Sequence, residues 1–78
     1  MALSLDEHLG FAMAERSGRG KDGAVKRFHE ALATSAGMRE QAGIRLRYFD
    51  TPDGQGILQR DHISRMHRII LKEALEHV

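Results

Sequence analysis

The chain has 78 residues, with 12 Lys and Arg against 11 Asp and Glu, and no cysteine. That length holds one domain with one modest core. The absence of cysteine excludes disulfide staples and thiolate metal sites, and it suits a reducing, cytoplasmic setting. A sequence pI of about 8.3 falls short of the basic footprint of a dedicated DNA-binding domain. No apolar run approaches the ~20 residues of a membrane span. The first residues lack a basic leader region and are broken by Asp6 and Glu7, so no secretory or targeting signal is expected. Charge is unevenly placed. Asp6, Glu7 and Glu15 stand without Lys or Arg in residues 1–15, whereas Arg16, Arg19, Lys21, Lys26 and Arg27 face only Asp22 in residues 16–27.

Ser4-Leu5-Asp6-Glu7 reads as a capping box, S-x-x-E. Leu5, Leu9, Ala12 and Met13 follow at helical spacing, predicting a helix over residues 5–16 that ends in the glycine-rich loop 17–23. Asp22 is the expected N-cap of a second helix, with Val25, Phe28, Leu32 and Ala36 as its apolar stripe and Gly37 as its stop. Residues 38–42 fit either a further helical turn or a connection.

Ile44, Leu46 and Tyr48 alternate with Arg45, Arg47 and Phe49, which predicts a strand whose Ile44, Leu46 and Tyr48 point inward. Thr51-Pro52-Asp53-Gly54 has turn chemistry, and residues 56–60 can return as a second strand. Asp61 caps a last helix with Ile63, Met66, Ile70, Ala74 and His77 on one face. Opposite them, Asp61–Arg65 and Lys72–Glu76 are placed to pair four residues apart. The expected fold is therefore α+β and mainly helical, three helices with a two-stranded β-hairpin between the second and third (α-α-β-β-α). The alternative is all-α, with residues 38–49 helical.

The residues capable of chemistry do not converge on a catalytic pattern. His62 and His67 are five apart, roughly 140° around a helix, and cannot share one metal ion. His8 and His29 have no partner four residues on. No serine sits in a nucleophile elbow, and Asp61, His62 and Ser64 on one helical turn cannot aim at one another as a triad. No enzyme activity, cofactor, metal site or small-molecule substrate is expected. The segment Gly18-Arg19-Gly20-Lys21-Asp22-Gly23 is either a solvated linker or an anion cradle at a helix N-terminus, without the Walker A spacing. Arg45 and Arg47 on the outer face of the first strand are a second basic surface.

Residues 48–57, with Phe49-Asp50, an Asp-Gly and the later Asp61, resemble an EF-hand calcium loop. Counted from Asp50, the third, fifth and sixth positions are Pro52, Gly54 and Gln55, where the motif needs two oxygen ligands and then glycine. The resemblance thus implies no useful calcium site. In size and character the chain is similar to stand-alone proteins of phages and mobile elements, including anti-CRISPR inhibitors. That likeness implies a small regulator or inhibitor that occludes a surface of a larger protein or nucleoprotein. The other function expected is a nucleic-acid-binding accessory or transcriptional regulator, and a third is a self-assembling subunit. The residues expected to meet a partner are Arg19, Lys21, Lys26 and Arg27 in the loop region, and Arg45, Arg47, Tyr48 and Phe49 on the hairpin, since arginine and aromatic anchors dominate interface energies. Acidic Asp6, Glu7 and Glu15 form a competing surface.

Overall fold

The computed structural model describes residues 3–78. It contains five helices: α1 (Leu5–Arg16), α2 (Ala24–Thr34), α3 (Ala36–Phe49), α4 (Pro52–Arg60) and α5 (His62–Glu76). No strand occurs among the described residues, so the expected β-hairpin, and with it the α+β class, is replaced by an all-helical fold.

Two features of the sequence produce the false strand signals. The alternation at residues 44, 46 and 48 comes from a helix that is apolar on two sides. Ala42 and Phe49 are buried and Leu46 is half-buried against the core, whereas Ile44 and Tyr48 face solvent with 53% and 43% exposure. Two apolar stripes half a turn apart imitate a period of two. The turn signal at residue 51 is a helix start. Thr51 is the N-cap and its hydroxyl accepts from the Gly54 N–H at 3.1 Å. Pro52 then occupies the first turn, where no backbone donor is needed. The first turn of a helix and a β-turn share αR geometry, and the same residue types suit both.

The expected helix over residues 5–16 is α1. Its capping box is formed in one direction, with the Ser4 hydroxyl accepting from the Glu7 N–H at 3.2 Å. The Glu7 carboxylate accepts from that hydroxyl at 3.3 Å and does not reach back to the Ser4 backbone. α2 is capped by Gly23, not Asp22, and Gly23 has a left-handed φ of 83°. α2 stops at Ser35, two residues before the expected Gly37, which lies in α3 with the exposed Ala36. Asp61 does cap α5, its carboxylate accepting from the Ile63 N–H at 2.9 Å and the Ser64 hydroxyl at 2.9 Å. It therefore does not pair with Arg65, which reaches back to carbonyls of α4. No ion pair joins Lys72 and Glu76 among the described residues. On α5 the inward residues are Ile70, Leu71 and Ala74, while Ile63 and His77 are exposed rather than inward.

All five helices contribute to one core: Leu5, Leu9 and Ala12 from α1, Phe28 and Leu32 from α2, Ala42 and Phe49 from α3, Leu58 from α4, and Ile70, Leu71 and Ala74 from α5. No polar or charged side chain is buried within it among the described residues, so burial there carries no polar desolvation penalty. The helices are joined closely. Ser35 ends α2 and caps α3, and Asp61 ends α4 and caps α5, with nearly the same extended backbone (φ −126°, ψ 108° and φ −119°, ψ 107°). At the α3–α4 joint, Gly54 is buried so deeply that a Cβ there would lie 2.0 Å from the Tyr48 carbonyl oxygen.

Candidate functional site

The corrected helix α3 changes the meaning of the residues on it. Gln41, Ile44, Arg45 and Tyr48 fall at the spacing i, i+3, i+4, i+7, which places them on one helical face. Together with Leu5 of α1 they line a shallow hollow of about 310 Å³. Arg45 does not stand free in it. Its guanidinium donates to the Asp6 carboxylate on α1, closing an ion pair across the two helices. That hydrogen bond holds the Asp6 carboxyl below its ordinary range, overcoming the opposing effect of partial desolvation. Nearby, half-buried His67 of α5 is pushed below the usual imidazole value, first by burial and then by the Arg45 charge, with Asp6 and Asp61 opposing. The expected acidic surface of α1 and the expected arginine surface thus meet and partly neutralise each other at Asp6 and Arg45.

The other expected partner-binding residues are distributed differently. Phe49 is 5% exposed and belongs to the core, so it cannot anchor a partner. Its ring lies 6.0 Å from that of Tyr48. Arg47 is exposed on α3 and makes no ion pair among the described residues. In the loop region Lys21 sits 5.4 Å over the Phe11 ring, a cation–π contact. Arg27 donates to the Asp22 carbonyl at 3.1 Å, Lys26 is exposed, and Arg19 lines a separate hollow between α1 and α5.

The anion cradle considered for this loop already has an occupant. The Glu15 carboxylate accepts from the backbone N–H groups of Gly23 (2.9 Å) and Val25 (2.5 Å) at the start of α2. Because Gly23 has no side chain to cap α2, Glu15 of the preceding helix supplies the missing acceptor. A bound anion would compete with that carboxylate for the same donors.

No group of three or more His, Asp and Glu side chains among the described residues is placed to hold a metal ion. His29 and His77 approach to 5.2 Å between ring centroids, and His8 stacks on Phe28 at 6.1 Å. The span that resembles a calcium loop is mostly helix α4. Its end carboxylates are engaged elsewhere, Asp50 with Arg68 at 3.3 Å and Asp61 at the α5 cap. No helix among the described residues is long and apolar enough to cross a membrane.

Sequence reasoning missed Ile44 as a surface residue because the strand register turned it inward. On α5 it placed Ile63 on the apolar face and gave Ile69 no surface role, whereas the two are 56% and 46% exposed. The signal for the α3 face was the 41/44/45/48 spacing, visible once the segment is read as helix. What this face offers chemically is burial of Ile44 and Tyr48, a phenol hydroxyl, and one guanidinium, that of Arg45, paired with Asp6. Comparison with protein-family models, with curated proteins and with solved structures gives no match.

Proposed function

We propose that this chain is a non-enzymatic binding protein that regulates or inhibits a larger protein or nucleoprotein by covering one of its surfaces through the outer face of α3. The observation that carries the reading is the exposed pair Ile44 and Tyr48, one helical turn apart beside a concave patch. Exposed large apolar side chains grouped around a hollow mark interaction sites more than scattered ones do. Tyrosine and arginine are the residues that most often supply hot-spot energy. Arg45, tethered to Asp6 at the surface, can exchange that partner for a carboxylate on another protein at little net change, because exposed ion pairs contribute ~0–1 kcal/mol.

Nucleic-acid binding is the weaker alternative. Arg45 is matched by Asp6 and the α2 amides by Glu15, which removes a cation and an anion-binding terminus from that reading. It predicts a steep fall of affinity for random duplex with rising salt.

The test compares wild-type protein with an Ile44→Asp/Tyr48→Ala double variant in affinity capture from host cells. Both positions are exposed, so the thermal unfolding midpoint should hold. Capture of a stoichiometric protein by the wild type and not by the variant supports the reading. Equal capture by both defeats it, as does loss of the α3 face into a homodimer in light scattering.

A further inference from the structure

We propose that the groove between α1 and α5 is a second docking surface, built for an amphipathic helix with acidic flanks supplied by another protein. It consists of two adjoining hollows of about 470 and 330 Å³. Met13, Ser17 and Met66 line both, Ile63 lines the first and Ile69 the second. None of these residues lines the α3 hollow.

Three observations specify the occupant. The first is the floor. Met13 and Met66 are half-buried, and Ile63 and Ile69 keep 56% and 46% of their surface exposed. Six residues apart on α5, they span nearly two turns, the length over which a docked helix places i, i+3/i+4 and i+7 side chains. Methionine adapts its shape to such ligands because its unbranched thioether chain has several accessible rotamers. The second is the rim. Arg19 lines the larger hollow and makes no ion pair among the described residues, and Arg16 lines the smaller one, joined to Glu73 at 2.8 Å. The third is the charge that is missing: no carboxylate lines either hollow.

An apolar floor with Arg19 at its edge, unpaired among the described residues, and no lining carboxylate complements an apolar stripe flanked by Asp or Glu. Like charges opposed across such a contact would be unfavourable. The same argument disfavours a second copy of this chain docking face to face, because the hollow that Arg19 lines has no carboxylate in it to meet the Arg19 of another copy. A polynucleotide would meet an apolar floor with few cations, which does not match the need of a phosphate backbone.

The probe is a synthetic amphipathic helix of about 16 residues with leucines at i, i+3, i+4 and i+7 and glutamates elsewhere. Its control carries lysine in place of every glutamate. Each is titrated into protein labelled at its Met and Ile methyl groups, with shifts read by NMR. The acidic peptide should shift Met13, Ile63, Met66 and Ile69 and leave Ile44, on the α3 face, unmoved. Arg19→Glu should weaken binding about tenfold, and the lysine peptide should bind at least about tenfold less tightly. Ile63→Ser, at an exposed position that the fold tolerates, should abolish the shifts. Equal affinity for both peptides overturns the proposal, as does a response centred on Ile44 or no response at about 1 mM peptide. Concentration-dependent shifts of the groove methyls without peptide would assign the groove to self-association and overturn it too. Because Ile44 reports separately, failure here and failure of the α3 reading are told apart.

Discussion

Arg39 and Arg65 occupy the same place in two copies of one helix corner. Arg39, four residues after the cap Ser35, donates to the carbonyls of Leu32 and Ala33 at 2.8 and 2.9 Å. Arg65, four residues after the cap Asp61, donates to the carbonyls of Leu58 and Gln59. In both, a guanidinium from the new helix satisfies the last carbonyls of the old one, which have no intrahelical donor. A charged donor also favours the negative end of the helix dipole there. Arg39→Ala and Arg65→Ala are each expected to lower unfolding stability by about 1–2 kcal/mol. Urea midpoints should fall with the denaturant slope unchanged. Lysine, with a single donor group and no fork, should recover only part of the loss at either position.

Glu15 gives a prediction with a built-in rescue. Glu15→Ala frees the amides of Gly23 and Val25 and is expected to cost about 1–2 kcal/mol, the range of a lost N-cap. The vacated amides should then accept inorganic phosphate. Thermal melts should show phosphate raising the variant's midpoint more than sulfate-free chloride at equal ionic strength, with no such difference in the wild type. A wild type that responds as strongly as the variant would mean that the carboxylate is not the resident acceptor.

Two glycines should respond to alanine with opposite sign. At Gly54 the added carbon would lie 2.0 Å from the Tyr48 carbonyl oxygen and 2.6 Å from the Phe49 Cα. Both are backbone atoms, so α3 and α4 must separate, and a loss of about 2–3 kcal/mol is expected. At Gly10 a Cβ meets nothing within 4 Å. Gly10→Ala in mid-α1 should therefore stabilise by roughly 0.5–1 kcal/mol. Chemical denaturation of the two variants side by side measures both effects.

The stability of the fold should decline on mild acidification. Burial together with the Arg45 charge lowers His67 below the ordinary imidazole value of 6.5 in the native state. The unfolded chain then binds more protons than the native one as the pH drops below 6.5, so stability present above that pH is lost as it falls toward the native value. His67→Gln should flatten this part of the profile. Asp6 acts at lower pH. Its carboxyl is held below 3.8 by Arg45, so its contribution persists until the pH falls through that lowered value, and Asp6→Asn removes it.

Two helix starts were legible from a local side-chain cap, whereas Ser35 and Thr51 cap α3 and α4 in the same way and were read as helix interior and as a turn. Ser4 and Asp61 are read directly from sequence because their acceptors lie within a few residues of their donors. The α2 start was not, since its acceptor is Glu15, eight residues before Gly23 and on another helix. The α3 segment was misread for a different reason. Period-based reading assumes one buried face, and Ile44 and Tyr48 are apolar residues on the outer one. That same departure from a one-sided pattern is what marks the candidate site. The repeated spacing Leu32, Ser35, Arg39 and Leu58, Asp61, Arg65 was present in the chain as a signal for the corners, but each set resembles an ordinary helix start until the geometry shows which carbonyls the arginines reach. Arg45 was legible as a surface cation, whereas its pairing with Asp6, 39 residues away, depends on how α1 and α3 pack.

The joints at Ser35 and Asp61 are single residues, whereas residues 17–23 between α1 and α2 form a longer run. One residue inserted at either short joint would lengthen an extended corner by one residue and shift the second helix relative to the first, taking an arginine out of reach of its carbonyls. Homologous chains of different length should therefore differ between α1 and α2, outside the stretch Gly20–Gly23 that lies against Glu15, and keep the spacing from Leu32 to Arg65 unchanged.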